Sequence, residues 1–165
     1  MSGSAADARA AITDLLFEYA HLIDAGELDA VGALFADATY RTVGHDVVLR
    51  GAADVTGAQH YVMRLYDGSP RTHHNIGNVT VSMDPSGATA TSRAYFTVIF
   101  HPPAPGQDPR VILTGRYEDT FACEDGTWQF TDRLIHMDQV GDLSEHLHLD
   151  RLRPAPPEPA TPPER

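Results

Sequence analysis

One cysteine, Cys123, is all the thiol chemistry this chain has. A single thiol excludes an intrachain disulfide and a thiolate metal cluster, and it fits a reducing compartment. Long apolar runs are equally scarce. No window approaches the roughly 20 residues of a membrane span, and Met1 to Ala11 is small and polar, unlike a leader peptide. Positive charge is short too: 12 Lys and Arg stand against 23 Asp and Glu, for a net charge of -11. That balance argues against nucleic acid and anionic membrane surfaces as partners. The cytoplasm is the expected location. The chain has no Gly-rich phosphate loop, nucleophile elbow or dinucleotide fingerprint, and no internal repeat. At 165 residues it is one domain with enough length to bury a real core.

What is present divides into helices first and strands afterwards. From about Ala5 to Ala25, an apolar stripe of Ile12, Leu15, Leu16, Tyr19, Ala20 and Ile23 predicts one amphipathic helix that Gly26 ends. Asp24 lies at the edge of that stripe. An acid there is mildly disfavoured by the negative end of the helix dipole, which is a reason to look for a second role. Glu27 to Phe35 predicts a short helix, Ala38 to Val43 and Val47 to Arg50 two strands, and Ala52 to Tyr66 a third helix. The remainder alternates as strands over Arg71–Met83, Ala88–His101, Arg110–Cys123 and Thr127–Gln139, with turns at Asp84–Gly87 and Glu124–Gly126. The Pro-rich stretch 102–109 is an exposed loop. Helices followed by an antiparallel meander indicate an α+β fold, with three N-terminal helices on one face of a curved sheet. Residues 1–141 form the domain. Residues 142–165 follow, with a short helix over Asp142–Leu152 and then a tail that holds six of the twelve prolines and is disordered or extended by composition.

The organising stretch is Arg71-Thr72-His73-His74-Asn75-Ile76-Gly77-Asn78, leading into Val79-Thr80-Val81-Ser82-Met83. Adjacent strand residues point to opposite faces, so one histidine of the pair looks inward. The inward one is a candidate general acid/base, because a strand holds its angle; a solvated polar strand end is the alternative. Parity sets a condition. His74 and Ile76 are even while Val79, Val81 and Met83 are odd, so both sets share a face only if a bulge near Gly77-Asn78 inserts one residue.

Four local patterns together resemble the nuclear-transport-factor-2-like superfamily, and within it the SnoaL-like and scytalone-dehydratase-like families. They are Tyr19-Ala20-His21-Leu22-Ile23-Asp24, Leu28 to Phe35, Ala38-Thr39-Tyr40-Arg41 and Thr72-His73-His74-Asn75-Ile76-Gly77. The resemblance covers about Ala6 to Asp138 and implies a cone: a curved mixed or antiparallel sheet with the helices on its concave face. It implies Asp24 and His74 as a catalytic pair, with Tyr40 and His101 lining the same pocket to bind substrate; Tyr19 is a further substrate-binding candidate, although its central place on the helix stripe reads first as core. One departure matters. A tyrosine precedes the Asp in scytalone dehydratase, whereas Ile23 does so here, which puts dehydration of scytalone itself in doubt.

The chemistry implied is cofactor-free. A carboxylate fixes the tautomer of an imidazole, and the imidazole takes and returns a proton near neutral pH. Elimination of water, isomerisation and aldol-type cyclisation all suit such a pair, with a small cyclic or polyketide-like, hydrophobic metabolite as substrate. Two other classes use the same fold: a non-catalytic binding module and a β-subunit-like partner of a ring-hydroxylating oxygenase. His45, His60, His136, His146 and His148 read as surface or framework residues. No His pair combines with an acid at a facial spacing, so no metal is expected. A homo-oligomer, dimer or trimer, is expected through the outer sheet face. With Tyr95, Ile99 and His101 lining the pocket, the apolar set Ala94, Phe96, Val98 and Phe100 would be left outside.

Overall fold

Ser4 starts the first helix through a capping box. Its hydroxyl accepts from the Asp7 N–H at 3.2 Å while the Asp7 carboxylate accepts from the Ser4 N–H at 2.9 Å. The computed structural model describes residues 4–152. Helix α1 (Ala5–Ala25) buries Ile12, Leu16, Tyr19, Ala20 and Ile23, the stripe its 3.6-residue period predicts. Gly26 stops it in the left-handed region at φ +80°, with the Glu27 N–H reaching back to Leu22 O. A Cβ on Gly26 would lie 1.9 Å from the Gly68 carbonyl oxygen, so only glycine lets the turn at Gly68 come this close.

Helix α2 (Leu28–Ala33) and helix α3 (Gly51–Val62) pack together. Between them run β1 (Thr39–Thr42) and β2 (Val48–Arg50), and after them β3 (Thr72–Met83), β4 (Thr89–Phe100), β5 (Arg110–Glu124) and β6 (Thr127–Val140). The six strands form one sheet in the order β2-β1-β6-β5-β4-β3. Every neighbouring pair is antiparallel except β1 with β6, which makes the sheet mixed. The fold is α+β, three helices against a curved six-stranded sheet. The third helix ends four residues earlier than its pattern predicts, at Val62, and Met63 leaves it to bridge Leu147.

The bulge that the parity of β3 requires is present. His74 pairs with Val98 and Ile76 with Phe96. Between Gly77 and Thr80 the register then slips by one, with Asn78 at φ +51°. Cross-strand partners share a face. His74 and Ile76 therefore face the interior with Val98 and Phe96, and the slip restores Val79, Val81 and Met83 to the same side.

That pairing overturns the expected faces of β4. Ala94, Phe96, Val98 and Phe100 are buried beneath the helices, while Tyr95 is exposed. The expectation put His101 on the inner face with Tyr95 and Ile99, but the helices cover the even face, and His101 lies on the other side with His73. The outer face is polar rather than apolar. Arg116 meets Asp138 at 3.1 Å, Arg93 meets Glu118 at 3.8 Å and Arg41 meets Asp132 at 2.6 Å. The oligomer inferred from an apolar outer patch loses that basis.

The C-terminal segment also differs from expectation. Asp142–Leu152 is no continuous helix; only Leu149–Leu152 forms a 3₁₀ turn, and the residues before it lie back on the domain. The Pro-rich tail lies outside the described residues.

Candidate active site

Asp24 occupies the last turn of α1, and β3, an edge strand, passes beside it. The carboxylate of Asp24 collects three donors from β3. The Thr72 hydroxyl donates to Oδ1 at 2.8 Å, the His74 backbone N–H to Oδ2 at 2.7 Å, and His74 Nδ1–H to Oδ1 at 2.6 Å. The free edge of β3 thus finds its hydrogen-bond partner in a side chain, which fixes the imidazole ring as well as the strand. Because a carboxylate can only accept, Nδ1 carries the proton and Nε2 is the basic nitrogen. Burial pushes the Asp24 carboxyl up, yet the His74 ring, the His74 backbone and Thr72 together outweigh it and hold it below its ordinary range. The acid is ionised at neutral pH despite standing at the negative end of the helix.

Two clefts flank this pair. One of about 440 Å³ is lined by Phe17, Ala20, His21, Asp24, His74 and Ile76 among others. The second, about 370 Å³, is bordered by Asp24, Ser69, Arg71, Thr72, His73 and His101. Polar residues make up most of both linings. The space under the helices is instead filled by side chains.

Tyr19 and Tyr40 belong to that filling. Their hydroxyls lie 3.1 Å apart, and the Tyr19 ring sits edge-on to the His74 ring with centroids 6.3 Å apart. Burial pushes both hydroxyls above the usual phenol range, so both stay protonated. Next to them lies Arg133, fully buried and paired in a fork with Asp119 at 2.8 and 3.0 Å. Its guanidinium carbon is 4.2 Å from the ring centres of both Tyr19 and Tyr117. Burial works against the Arg133 charge, but Asp119 and the tyrosines hold the guanidinium above its ordinary range.

The structure thus brings together Asp24, His74 and Tyr19, with Tyr40 one hydroxyl further in. His101 stands apart. Its ring packs against His73 at 4.7 Å on the far side of β3, and it meets the pair only across the second cleft. Among the described residues no three His, Cys, Asp or Glu side chains gather to hold a metal ion, and no helix is long and apolar enough to cross a membrane.

Sequence reasoning missed two features. Arg133 and Asp119 carried a readable signal: Asp119 shares strand parity with Tyr117 and Phe121, an acid inside an apolar series. His146 was read as surface or framework, but it is 6% exposed. Nothing in its local pattern marks it, because its burial depends on how the chain returns after β6. Burial, followed by the nearby His74 charge, lowers its pKa to about 4. The unfolded chain, with an ordinary imidazole near 6.5, takes up this proton first. Stability from this residue is therefore complete above about pH 6.5 and is lost as pH falls toward 4, by on the order of 2–3 kcal/mol. Urea unfolding at pH 7 and pH 4.5 should show that drop in the wild type and a smaller one in His146→Gln.

The family model for the SnoaL-like domain matches residues 4–134. Among solved structures, an NTF2-like protein with a cystatin-like fold from Novosphingobium aromaticivorans superposes with a TM-score of 0.65 at 21% identity, over 88% of each chain. A candidate scytalone dehydratase from the same organism gives 0.64 at 21% identity, covering 81% of this chain and 86% of that one. The beta subunit of a candidate aromatic-ring-hydroxylating dioxygenase, also from that organism, gives 0.66 at 19%, covering 82% and 92%. No curated protein matches by sequence. Identities this low speak for the fold alone, while the match to the family model spans most of the chain: the protein belongs to the SnoaL-like family.

Proposed function

We propose that this protein is a cofactor-free acid/base enzyme, a dehydratase or an isomerase/cyclase, acting on a small cyclic or polyketide-like metabolite. The observation that supports the reading best is the 2.6 Å bond from His74 Nδ1 to Asp24, at the wall of a cleft. Nε2 of His74 removes a proton from carbon next to a substrate carbonyl, and Asp24 stabilises the imidazolium that forms. In an elimination the enolate then expels a β-hydroxyl, which takes the proton back from His74 and leaves as water. In an isomerisation the proton returns to a different carbon. Tyr19 holds the His74 ring from its inner edge, and Tyr40 supports Tyr19 through the paired hydroxyls. His101 contributes to the wall of the neighbouring cleft.

The test is product formation. Wild-type protein is incubated with a panel of cyclic β-hydroxy-ketones, and loss of water or a shifted double bond is read by mass and absorbance. Turnover that disappears in His74→Ala supports the reading; equal product with and without wild-type protein across the panel counts against it. A second reading draws on the dioxygenase beta subunit among the similar folds. It makes the protein a non-catalytic partner, and purification with a stoichiometric second chain would favour it.

A further inference from the structure

Arg71 stands immediately before β3 with its backbone in the left-handed region, at φ +56°. An arginine is strained there where a glycine would not be. Three hydrogen bonds hold it in place. Its N–H donates to Ser69 Oγ at 3.0 Å, its carbonyl oxygen accepts from the His101 N–H at 2.8 Å, and its Nε donates to His101 O at 2.9 Å. Strain that the surroundings retain in this way marks a place to look for function.

The guanidinium so fixed has no acid to neutralise it among the described residues. Arg41, Arg93, Arg110, Arg116 and Arg133 each meet an acidic side chain, whereas Arg71 meets none within ion-pair distance. In a chain of net charge -11, with 23 acids against 12 Lys and Arg, such a cation is the exception. Its Nε is engaged, which leaves the two terminal nitrogens as donors, and Arg71 borders the second cleft, of about 370 Å³.

The cleft has a second donor and an apolar flank. His73 is exposed at its edge, and the His73 ring stands edge-on to that of His101, with centroids 4.7 Å apart. Nε2 of His101 is enclosed and has no partner among the described residues. His101 therefore serves as a support: its carbonyl oxygen holds Arg71, and its ring backs His73. Across the sheet His73 pairs with Ile99, and Ile99 with Val111. Cross-strand partners share a face, so these two apolar side chains continue from His73 on the same side. Val111 is 55% exposed. A fixed cation beside an exposed apolar strip suits an organic anion better than an inorganic one.

We propose that the second cleft is a binding site for a small organic acid, with the Arg71 guanidinium and the His73 ring holding its carboxylate. The terminal nitrogens of a guanidinium match the two oxygens of a carboxylate in a planar fork. Asp24 limits the charge of the ligand. Its carboxylate borders the same cleft and opposes a dianion, so a singly charged carboxylate is taken in preference to phosphate. The apolar body of the acid lies toward Ile99 and Val111. None of this depends on proton transfer by His74, and the site stands or falls apart from the acid/base reading.

The experiment titrates the full chain, labelled with ¹⁵N-histidine, with sodium benzoate, and in parallel with benzamide and inorganic phosphate. Benzoate is expected to move the His73 resonances and to bind about tenfold more tightly than either control, the usual effect of a hydrogen bond to a charged group. Arg71→Gln should lose that factor. Arg71→Gly is the second variant, because glycine takes the left-handed backbone without strain and so removes the side chain from an intact turn. It should bind benzoate as weakly as Arg71→Gln, with circular dichroism as the check on folding. His73 resonances that stay fixed as benzoate is added overturn the proposal. Equal benzoate affinity in folded Arg71→Gly and wild type overturns it as well, and phosphate bound as tightly as benzoate overturns the assignment to a carboxylate. Where a panel ketone is turned over, inhibition by benzoate would put the carboxylate on the substrate, and unchanged turnover would put it on a separate acid. Both results uphold the cleft as the site.

Discussion

A folded His74→Ala protein is expected to turn substrate over roughly 10²–10⁴-fold more slowly than wild type, the usual contribution of a positioned general base. Two features make the loss catalytic rather than structural. The ring is largely buried and its bond to Asp24 is lost on truncation, at about 2 kcal/mol, which still leaves most of a typical domain's stability in place. Its backbone N–H, which also holds Asp24, survives the substitution. Asp24→Asn separates the two functions of the carboxylate. The amide keeps its shape and can still accept from Thr72, but it no longer supplies the negative charge that favours an imidazolium. Its kcat should fall by a comparable factor while KM changes little, since the interaction lost belongs to the charged intermediate. The measurement is kcat and KM for wild type and both variants on whichever panel ketone reacts, with circular dichroism alongside. Undiminished kcat in a folded His74→Ala protein would take this residue out of the mechanism. A parallel loss of ligand affinity in both variants, with no turnover in the wild type, would assign the cleft to binding alone.

How much of this arrangement could be read from the chain depends on how local each determinant is. α1 was legible, because a 3.6-residue stripe and a terminating glycine lie within one segment, whereas the Ser4 cap that starts it was not read. The bulge in β3 was legible as well. The apolar parity changes sign between Ile76 and Val79, and only an inserted residue reconciles the two halves. The face of β4 was not. A strand with Ala94, Phe96, Val98 and Phe100 on one side and Tyr95 and Ile99 on the other is apolar on both, and local pattern does not say which side the helices will cover. The answer came from across the strands: His74 pairs with Val98, and Asp24 fixes His74 inward. His146 was illegible for a related reason. Its carbonyl is held by the Arg64 N–H just past α3, so its burial is decided by tertiary closure rather than by neighbours in sequence.

Arg133→Met should be the most destabilising single change in the interior, at about 3–5 kcal/mol. The guanidinium has no exposed surface, binds both oxygens of Asp119 and lies against the rings of Tyr19, Tyr117, Phe130 and Phe35. Removing it leaves the Asp119 carboxylate buried without its counterion, and burial already pushes that carboxyl up. At roughly 2–4 °C per kcal/mol for a domain near this size, the melting temperature should fall by about 10 °C. The paired substitution Arg133→Met with Asp119→Leu should recover most of the loss, because an apolar pair of similar volume avoids the desolvation of both charges. Thermal unfolding of the two single variants and the double closes the cycle, and a coupling energy below about 1 kcal/mol would show that the fork contributes little. The double variant also asks what the pair is for. Tyr19 touches both the Arg133 guanidinium and the His74 ring, so a protein that regains its stability but not its turnover would mean that the cation orders Tyr19 and, through it, the base.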